Sequence, residues 1–295
     1  MRMLGIDIGG TNIKSGIVVD GVVSGFHEMP TEAFQGGQTV MNKVLRLITK
    51  YNNYNRIGIS SAGQIDPATG QVIFATDNIP GWTGMRIKQI IEQKFAVPTC
   101  VENDVNAAAI AEAYYGAGKG KDSMVCLTFG TGIGGAIVEQ GKLYHGSAFS
   151  AGEFGHITIH GGHRDCTCGN KGCYEVYAST KALINLAEEK LGISEGLNGR
   201  MLMALAQENE RVYTDVINPW LDEVILGLRT LIHVFNPSLI VLGGGIMEQS
   251  YMLAYVQEHI QRQIMPNFRN VEFLSAKLGN HAGIIGAAHL AVKME

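Results

Sequence analysis

The chain has 295 residues, a length that predicts one large domain or two domains of ordinary size. Its 46% hydrophobic and 17% charged residues are typical of a globular protein, and a formal net charge of −4 provides no basic field for nucleic acid. No apolar run approaches the roughly 20 residues of a membrane-spanning helix, and the first residues lack the apolar core of a signal peptide. We therefore expect a cytoplasmic protein without nucleic-acid or membrane partners.

The first residues predict a strand, a glycine loop and a second strand. Residues 4–8 form a short apolar run, Gly9-Gly10-Thr11-Asn12 follows, and Asp20-Gly21 predicts the two-residue turn of a hairpin. Such a loop exposes backbone N–H groups and the Thr11 hydroxyl to a phosphate, and Asp7 is a candidate for holding magnesium through water. Taken alone, the loop is better explained as an ordinary hairpin.

The same pattern returns further along the chain, which predicts a duplicated fold. An offset of 120 residues places Gly10-Thr11 on Gly130-Thr131, Ile17-Val18 on Ile137-Val138, and Gly21 on Gly141. An internal repeat of this length is best interpreted as two duplicated domains, whose two hairpins would hold a polyphosphate from two sides. The alternative is that two unrelated hairpins share the same turn chemistry.

Helices and strands alternate between the two copies, as expected for a sheet covered by helices. Thr83 is predicted to cap a helix that carries Ile87, while Asn78 in the preceding loop is either a donor to a ligand or a turn-forming residue. Asn103 and Asp104 lie where a short strand meets an alanine-rich helix, the usual ligand crevice of α/β folds. Asp104 is therefore either the N-cap of that helix or a carboxylate that takes a proton from a hydroxyl nucleophile.

A dense group of cysteines predicts a metal site. Cys166, Cys168 and Cys173 lie within eight residues, with glycines between them that let the backbone turn tightly. Zinc in a closed structural site takes four ligands, and thiolate and imidazole groups suit it well. Three nearby histidines compete for the fourth place: His156, His160 and His163. The alternative is a set of reduced thiols, or one disulfide with a spare cysteine.

The remainder of the chain predicts an α/β domain. Helical periodicity covers residues 178–191, 201–206 and 216–234, and an alanine- and glycine-rich helix closes the chain at 281–292. Gly243-Gly244-Gly245 follows an apolar strand, where it permits either close approach of a flat ligand or a plain turn. We place the boundaries of a smaller α/β domain at residues 1–117 plus 282–295, and those of a larger α/β domain, which carries the cysteines, at 118–281.

Together these motifs resemble the ROK family of bacterial sugar kinases and repressors. The resemblance covers essentially the whole chain and is carried by Gly5-Ile-Asp-Ile-Gly-Gly-Thr-Asn-Ile-Lys14, Glu102-Asn-Asp-Val-Asn106, Gly130-Thr-Gly-Ile-Gly-Gly135, Gly152-Glu-Phe-Gly-His156, the Cys166 to Glu175 stretch and Leu242-Gly-Gly-Gly245. It implies the duplicated two-domain actin/hexokinase-like (ribonuclease H-like) α/β fold, with a cleft between the domains.

The resemblance also implies a role for each motif. Asp104 would be the general base that deprotonates the sugar hydroxyl as it attacks the γ-phosphate of ATP. The sugar would be bound by Asn103, Asp104, Glu153, His156 and Glu175, with Gly63 and Asn78 near its other edge. His156 would complete the zinc site of Cys166, Cys168 and Cys173.

The nucleotide would lie along the glycine loops. The resemblance places Asp7 near Mg²⁺ and assigns phosphate or nucleotide contacts to Gly9, Gly10, Thr11, Lys14, Gly130, Thr131, Gly132, Gly244 and Gly245. It implies an ATP-dependent kinase for the 6-hydroxyl of a hexose or N-acetylhexosamine, with glucose or N-acetylmannosamine foremost and N-acetylglucosamine, fructose and β-glucosides behind. A homodimer is the expected assembly.

Two other readings follow from the same family. Its repressors carry an added N-terminal helix-turn-helix, for which the strand beginning at Leu4 is expected to leave no room. A sugar sensor without catalytic activity is the second, and the presence of Asp104, both glycine loops and the cysteine set argues against it.

Overall fold

A computed structural model describes residues 1–162, 164–193 and 196–293. By its internal packing the chain divides into two compact units, one of residues 1–120, 137–151 and 280–295, the other of residues 121–136 and 152–279. Segment 137–151, which the sequence prediction assigns to the larger domain, thus packs within the first unit. The domain boundaries inferred from the sequence stay a prediction.

The strands form two main sheets of the same design. The first has the order β3-β2-β1-β4-β7 and the second the order β10-β9-β8-β11-β12, while β5 and β6 form a separate pair. In the first, β1, β4 and β7 are parallel and β2 and β3 are antiparallel additions, which agrees with the predicted duplication. The strands are β1 Met3–Ile8, β2 Asn12–Val19, β3 Val22–Pro30, β4 Arg56–Ser61, β5 Gln64–Asp66, β6 Gln71–Phe74, β7 Thr99–Asn103, β8 Ser123–Phe129, β9 Ile133–Glu139, β10 Lys142–Leu143, β11 Leu239–Gly243 and β12 Glu272–Ser275.

Helices connect these strands, as the alternating pattern predicts. Among the described residues, no helix combines the length and the apolar character needed to cross a membrane. A short π-helical turn, Tyr213–Ile217, runs directly into α7. The helices are α1 Gly37–Ile48, α2 Ile87–Phe95, α3 Asp104–Tyr115, α4 Glu175–Ala178, α5 Thr180–Leu191, α6 Gly199–Glu208, α7 Asn218–Phe235, α8 Ser250–Ile260 and α9 Ala282–Val292.

The two faces of the first sheet are buried in different ways. Side chains alternate along β1, so Leu4, Ile6 and Ile8 enter one apolar core that also contains residues of α1 and α2. On the opposite face glycine replaces a side chain, because α9 lies directly on the strands. A Cβ on Gly5 would lie 2.4 Å from the Ile284 carbonyl oxygen. The closing helix therefore covers the strands that end at the candidate site.

Two hairpin turns are held by neighbouring tyrosines of α3. Asp20-Gly21 and Gln140-Gly141 both have positive φ angles at both positions, as two-residue hairpin turns require. A Cβ on Gly21 would lie 2.3 Å from the Tyr115 ring, and one on Gly141 would lie 2.6 Å from the Tyr114 hydroxyl. Glycine at the second turn position is thus needed for both backbone conformation and space.

Packing in the second unit positions the cysteine segment. Tyr174 is fully buried between Cys173 and Glu175, and its hydroxyl donates to the Val224 carbonyl oxygen on α7 at 2.7 Å. Gly227, one turn further along α7, leaves room for the ring, since a Cβ there would lie 2.3 Å from it. The side chain between a candidate ligand and a candidate sugar-binding carboxylate is therefore fixed on a long helix.

We expect Gly58→Ala to lower the free energy of unfolding by at least about 2 kcal/mol. A Cβ at this position of β4 would lie 2.0 Å from the Ala287 carbonyl oxygen on α9, and backbone cannot move aside as a flexible side chain can. Urea unfolding measures the change. Gly161→Ala is the matched control, because its added methyl meets no atom within 4 Å; equal stability of the two variants would contradict the close packing of α9.

Candidate active site

Asp104 begins α3 directly after β7. The N-cap of α3 is Asn103, whose side-chain oxygen accepts from the N–H groups of Val105 and Asn106 at 2.9 and 3.1 Å. The alternative that Asp104 caps the helix is therefore wrong. The Asn103 amide donates to the Gly63 carbonyl oxygen and to Asp104 Oδ1, both at 2.9 Å. Asn103 thus fixes the Asp104 carboxylate and joins it to the Gly63 turn.

The electrostatic surroundings of Asp104 favour proton transfer near neutral pH. Burial, and then the negative charge of Asp7, raise the pKa of Asp104 to about 7. Burial also raises the pKa of Asp7. A hydrogen bond from Ser60 Oγ at 2.6 Å and the charge of Lys14 oppose that rise. A buried carboxyl group whose pKa is raised by a neighbouring carboxylate is a frequent feature of functional sites.

Several of the residues predicted to bind the nucleotide lie in the first glycine loop or directly after it. The loop is closed by Thr31, whose hydroxyl donates to the Gly9 carbonyl oxygen at 2.7 Å and whose N–H donates to that of Thr11 at 2.8 Å. Gly10 and Thr11 are exposed. Lys14 on β2 donates to Asn280 Oδ1 at 3.0 Å. Thr31 carries no sequence signal, because it acts from a distant position after β3.

The predicted sugar edge of the first unit is anchored by a tryptophan. Gly63 has a φ of 97°, and Asn78 is exposed in the loop after β6. Trp82, fully buried, donates its indole N–H to Ser61 Oγ at 3.1 Å and to the Ala62 carbonyl oxygen at 3.2 Å. The loop of Asn78 is thereby attached to the end of β4. The roles of Gly63 and Asn78 stay predictions.

The second unit brings the predicted metal ligands together. One atom each from His156, Cys166, Cys168 and Cys173 lies within 4.8 Å of all the others. The separations of Cys166 Sγ from His156 Nδ1 and of Cys168 Sγ from Cys173 Sγ are both 3.6 Å. Tetrahedral zinc with the usual bond lengths would separate such ligand pairs by about 3.6–3.8 Å. The cluster therefore has the size and donor set of a closed zinc site.

The other two histidines differ in position. His160 lies outside the cluster, because its Nε2 pairs with Glu223 Oε2 on α7 at 2.6 Å. His163 lies outside the described residues. Among the candidates that the structure describes, His156 is thus the one that joins the cysteines.

Glu175 connects the cysteine cluster with the second glycine loop. Its Oε1 lies 3.4 Å from Cys166 Sγ, and its Oε2 accepts from the Ile133 N–H at 3.4 Å. A Cβ on Gly132 would lie 2.4 Å from the same Oε2, so a larger residue there would displace the Glu175 carboxylate. Glu153 is exposed, three residues before His156 on a short 3₁₀ turn. Their predicted contacts with sugar stay predictions.

A cavity of about 910 Å³ lies in the second unit beside the predicted nucleotide residues. Gly130, Thr131 and Gly245 line it. Among the described residues, Gly132 and Gly244 are not part of the lining; Gly244 instead lies against β8, where a Cβ would be 2.1 Å from the Phe129 carbonyl oxygen. Sequence reasoning missed other polar lining residues, which belong to no recognisable motif: Thr180, Lys181, Asn185, Asn198, Arg200, Gln207, Glu248 and Gln249.

The family assignment agrees with this geometry. The model of the ROK family matches residues 3–294, nearly the entire chain. The chain belongs to the ROK family. As predicted, it has the actin/hexokinase-like two-domain α/β architecture of ROK proteins.

Similar ROK proteins include sugar kinases. The glucokinase of Streptomyces coelicolor is 32% identical, with 98% of this chain and 96% of that protein aligned. The structure of a Streptomyces griseus ROK glucokinase in complex with glucose and AMPPNP has a TM-score of 0.86 and 31% identity, over 100% of both chains. A Listeria monocytogenes protein proposed to be an N-acetylmannosamine kinase has a TM-score of 0.89 and 27% identity, over 99% of both chains.

We predict one zinc ion per chain and a zinc-dependent thiol reactivity. Cys168 is exposed, and a hydrogen bond from the Asn170 N–H is the main cause that lowers the pKa of its thiol to about 7. In metal-free protein it should be the first cysteine alkylated by iodoacetamide at pH 7, because the thiolate is the nucleophile. One equivalent of zinc should block that reaction.

Mass spectrometry of the alkylated protein identifies the modified residue, and metal analysis of protein purified without chelator gives the zinc content. Cys100 is the internal control, since burial raises the pKa of its thiol to about 12. Equal alkylation of Cys168 with and without zinc, together with protein that contains no metal, would exclude the zinc site.

Proposed function

We propose that this ROK protein is an ATP-dependent kinase that transfers the γ-phosphate of ATP to the 6-hydroxyl of a hexose or N-acetylhexosamine, glucose or N-acetylmannosamine before other sugars. The observation that carries the proposal is the Asp104 carboxylate, held by Asn103 at the carboxyl end of β7 with a pKa of about 7. We also propose a cytoplasmic homodimer whose domains follow the boundaries predicted from the sequence.

Asp104 is the proposed general base. A base is most effective when its pKa lies near the working pH, because it is then ionised and yet accepts a proton readily. Burial and the charge of Asp7 bring the pKa of Asp104 to about 7. The proton of the attacking sugar hydroxyl would pass to the Asp104 carboxylate as the new oxygen–phosphorus bond forms. The bond between the γ-phosphorus and the oxygen that bridges it to the β-phosphate would break, and ADP would leave with that oxygen.

Phosphoryl transfer otherwise depends on positioning and on charge stabilisation. The exposed Gly10 and Thr11 would offer N–H and hydroxyl donors to phosphate oxygens, and Lys14 would add a positive charge. In the second unit Gly130 and Thr131 border a cavity large enough for a nucleotide, with Gly245 also in its lining.

Magnesium bound with the nucleotide would supply positive charge against the negative charge of the phosphates. Asp7 fits the role of holding it through water, because carboxylate oxygens are preferred magnesium ligands. The burial that raises the pKa of Asp7 makes a nearby cation favourable for its ionised form.

Zinc would act on sugar binding indirectly. With Nδ1 of His156 directed at Cys166, its Nε2–H would remain available as a donor to a sugar hydroxyl. Coordination fixes the ring and its tautomer. Glu175, beside Cys166, and Glu153 would accept hydrogen bonds from sugar hydroxyls. Asn103, Gly63 and Asn78 are the residues of the first unit that we propose for sugar binding. We therefore assign the zinc a structural role.

We expect ADP release from ATP and magnesium with one or two sugars of a panel. The panel contains glucose, N-acetylmannosamine, N-acetylglucosamine, mannose, fructose and a β-glucoside at one fixed concentration. Strong turnover with one sugar would establish the kinase and its substrate together. No turnover with any sugar, in zinc-loaded and folded protein, would overturn the proposal in favour of a non-catalytic sugar sensor.

We expect Asp104→Asn to reduce turnover by at least about a hundredfold while sugar binding is largely retained. The amide keeps the size of the side chain and can still accept from Asn103, but it cannot take up a proton at neutral pH. Steady-state ADP release and calorimetric sugar titration measure the two effects. Asp122→Asn, at an exposed position, is the control; near-wild-type turnover of Asp104→Asn would remove Asp104 from the role of base.

A further inference from the structure

Glu102 is a buried carboxylate that the proposed chemistry does not use. It immediately precedes Asn103, and only 3% of its surface is exposed. Oε1 accepts from the Asn103 N–H and from the Asn106 side-chain amide, both at 2.9 Å. Oε2 lies 2.8 Å from His145 Nε2. Each carboxylate oxygen therefore has a partner. Through Asn103 and Asn106, Glu102 is hydrogen-bonded to the first turn of α3.

His145 is the partner that can carry charge. The hydrogen bond to Glu102 raises the pKa of His145 above its ordinary value, and the charge of Glu102 adds to this effect, whereas burial opposes it. A buried carboxylate is costly unless it is paired and hydrogen-bonded. Among the described residues, Glu102 is the charged group that acts on this histidine.

The other charged groups near the start of α3 form a separate pair. The negative charge of Asp7 raises the pKa of Asp104. Lys14 opposes the pKa rise of Asp7. The groups whose charges act on one another at the start of α3 therefore fall into two pairs, Asp7 with Asp104 and Glu102 with His145.

His145 also closes a loop that leads into the predicted sugar-binding stretch. Its carbonyl oxygen accepts from the Ala151 N–H at 3.1 Å, and Gly146 and Phe149 adopt positive φ angles of 70° and 58° between them. Glu153 follows two residues after the loop. The side chain of His145 attaches this 145–151 loop to Glu102, and its backbone gives the loop its closed form.

We propose that His145 is a positioning residue for sugar binding: as an imidazolium paired with Glu102, it holds the 145–151 loop on the strand that presents Asn103 and Asp104. The proposal rests on the proposed kinase function. The pair is complete at pH values below the raised pKa of His145 and is lost as the pH rises through it, because the neutral ring gives up the charge that Glu102 attracts. Sugar affinity should decline over the same range.

The test compares wild type with His145→Gln, His145→Ala and Glu102→Gln between pH 5.5 and 9. Glutamine places an N–H donor near the position of Nε2 but does not titrate, so it should keep most of the sugar affinity and lose the alkaline decline. Alanine should raise the sugar KM roughly tenfold and leave the KM for ATP unchanged, since it removes a hydrogen bond to a charged group. Glu102→Gln should also lose the alkaline decline.

Sugar dissociation constants are measured by calorimetry beside the kinetics, so the positioning role is tested even if the wild-type protein transfers no phosphate. A wild-type protein that binds sugar but transfers no phosphate would contradict the kinase proposal and leave the test of His145 intact. His259→Gln on α8 is the control, and thermal unfolding with metal analysis identifies variants that do not fold. The acid limb, assigned to Asp104, should persist in His145→Gln. An unchanged alkaline limb in His145→Gln, or a wild-type sugar KM and dissociation constant in folded His145→Ala, would overturn the proposal.

Discussion

The burial of carboxyl groups at the ends of parallel strands is the constraint on which the first half of the site depends. Asp7, Ser60 and Glu102 lie in one row across β1, β4 and β7, because the register of the strands aligns them. A carboxylate in this row needs a hydrogen-bond donor or a cation. Ser60 meets that need for Asp7, and backbone, amide and imidazole groups meet it for Glu102. Asp104 lies two residues beyond the row, at the start of α3, and its pKa is raised to about 7.

The second unit also brings together side chains that need a shared partner, and most of them are cysteines. Three thiols and an imidazole within 4.8 Å would be poorly stabilised by the protein alone, and a shared cation is the simplest group that would satisfy all four. The buried Tyr174 fixes the segment on α7 through the hydrogen bond of its hydroxyl to the Val224 carbonyl oxygen. Tyr174 lies between Cys173 of the cluster and Glu175, whose Oε2 accepts from the Ile133 N–H beside the second glycine loop.

Sequence patterns predicted those features that depend on local chemistry. The repeated glycine loops, the strand-to-helix junction at Asp104 and the family were correct, since each is encoded by adjacent residues. Thr83 was wrongly predicted to cap a helix: α2 begins at Ile87, and the Thr83 hydroxyl instead donates to the Ala75 carbonyl oxygen. Ser60, Thr31 and His145 gave no signal, because their partners lie 53, 22 and 43 residues away. Such contacts become visible only when the sheet order is known.

The two consecutive tyrosines of α3 show that the two copies of the hairpin share one supporting helix. Tyr115 supports the turn at Gly21 and Tyr114 supports the turn at Gly141. A perfectly duplicated gene would give each copy its own supporting helix, yet here one helix serves both. The symmetry of the repeat is therefore broken at α3, because both turns depend on neighbouring side chains of this one helix.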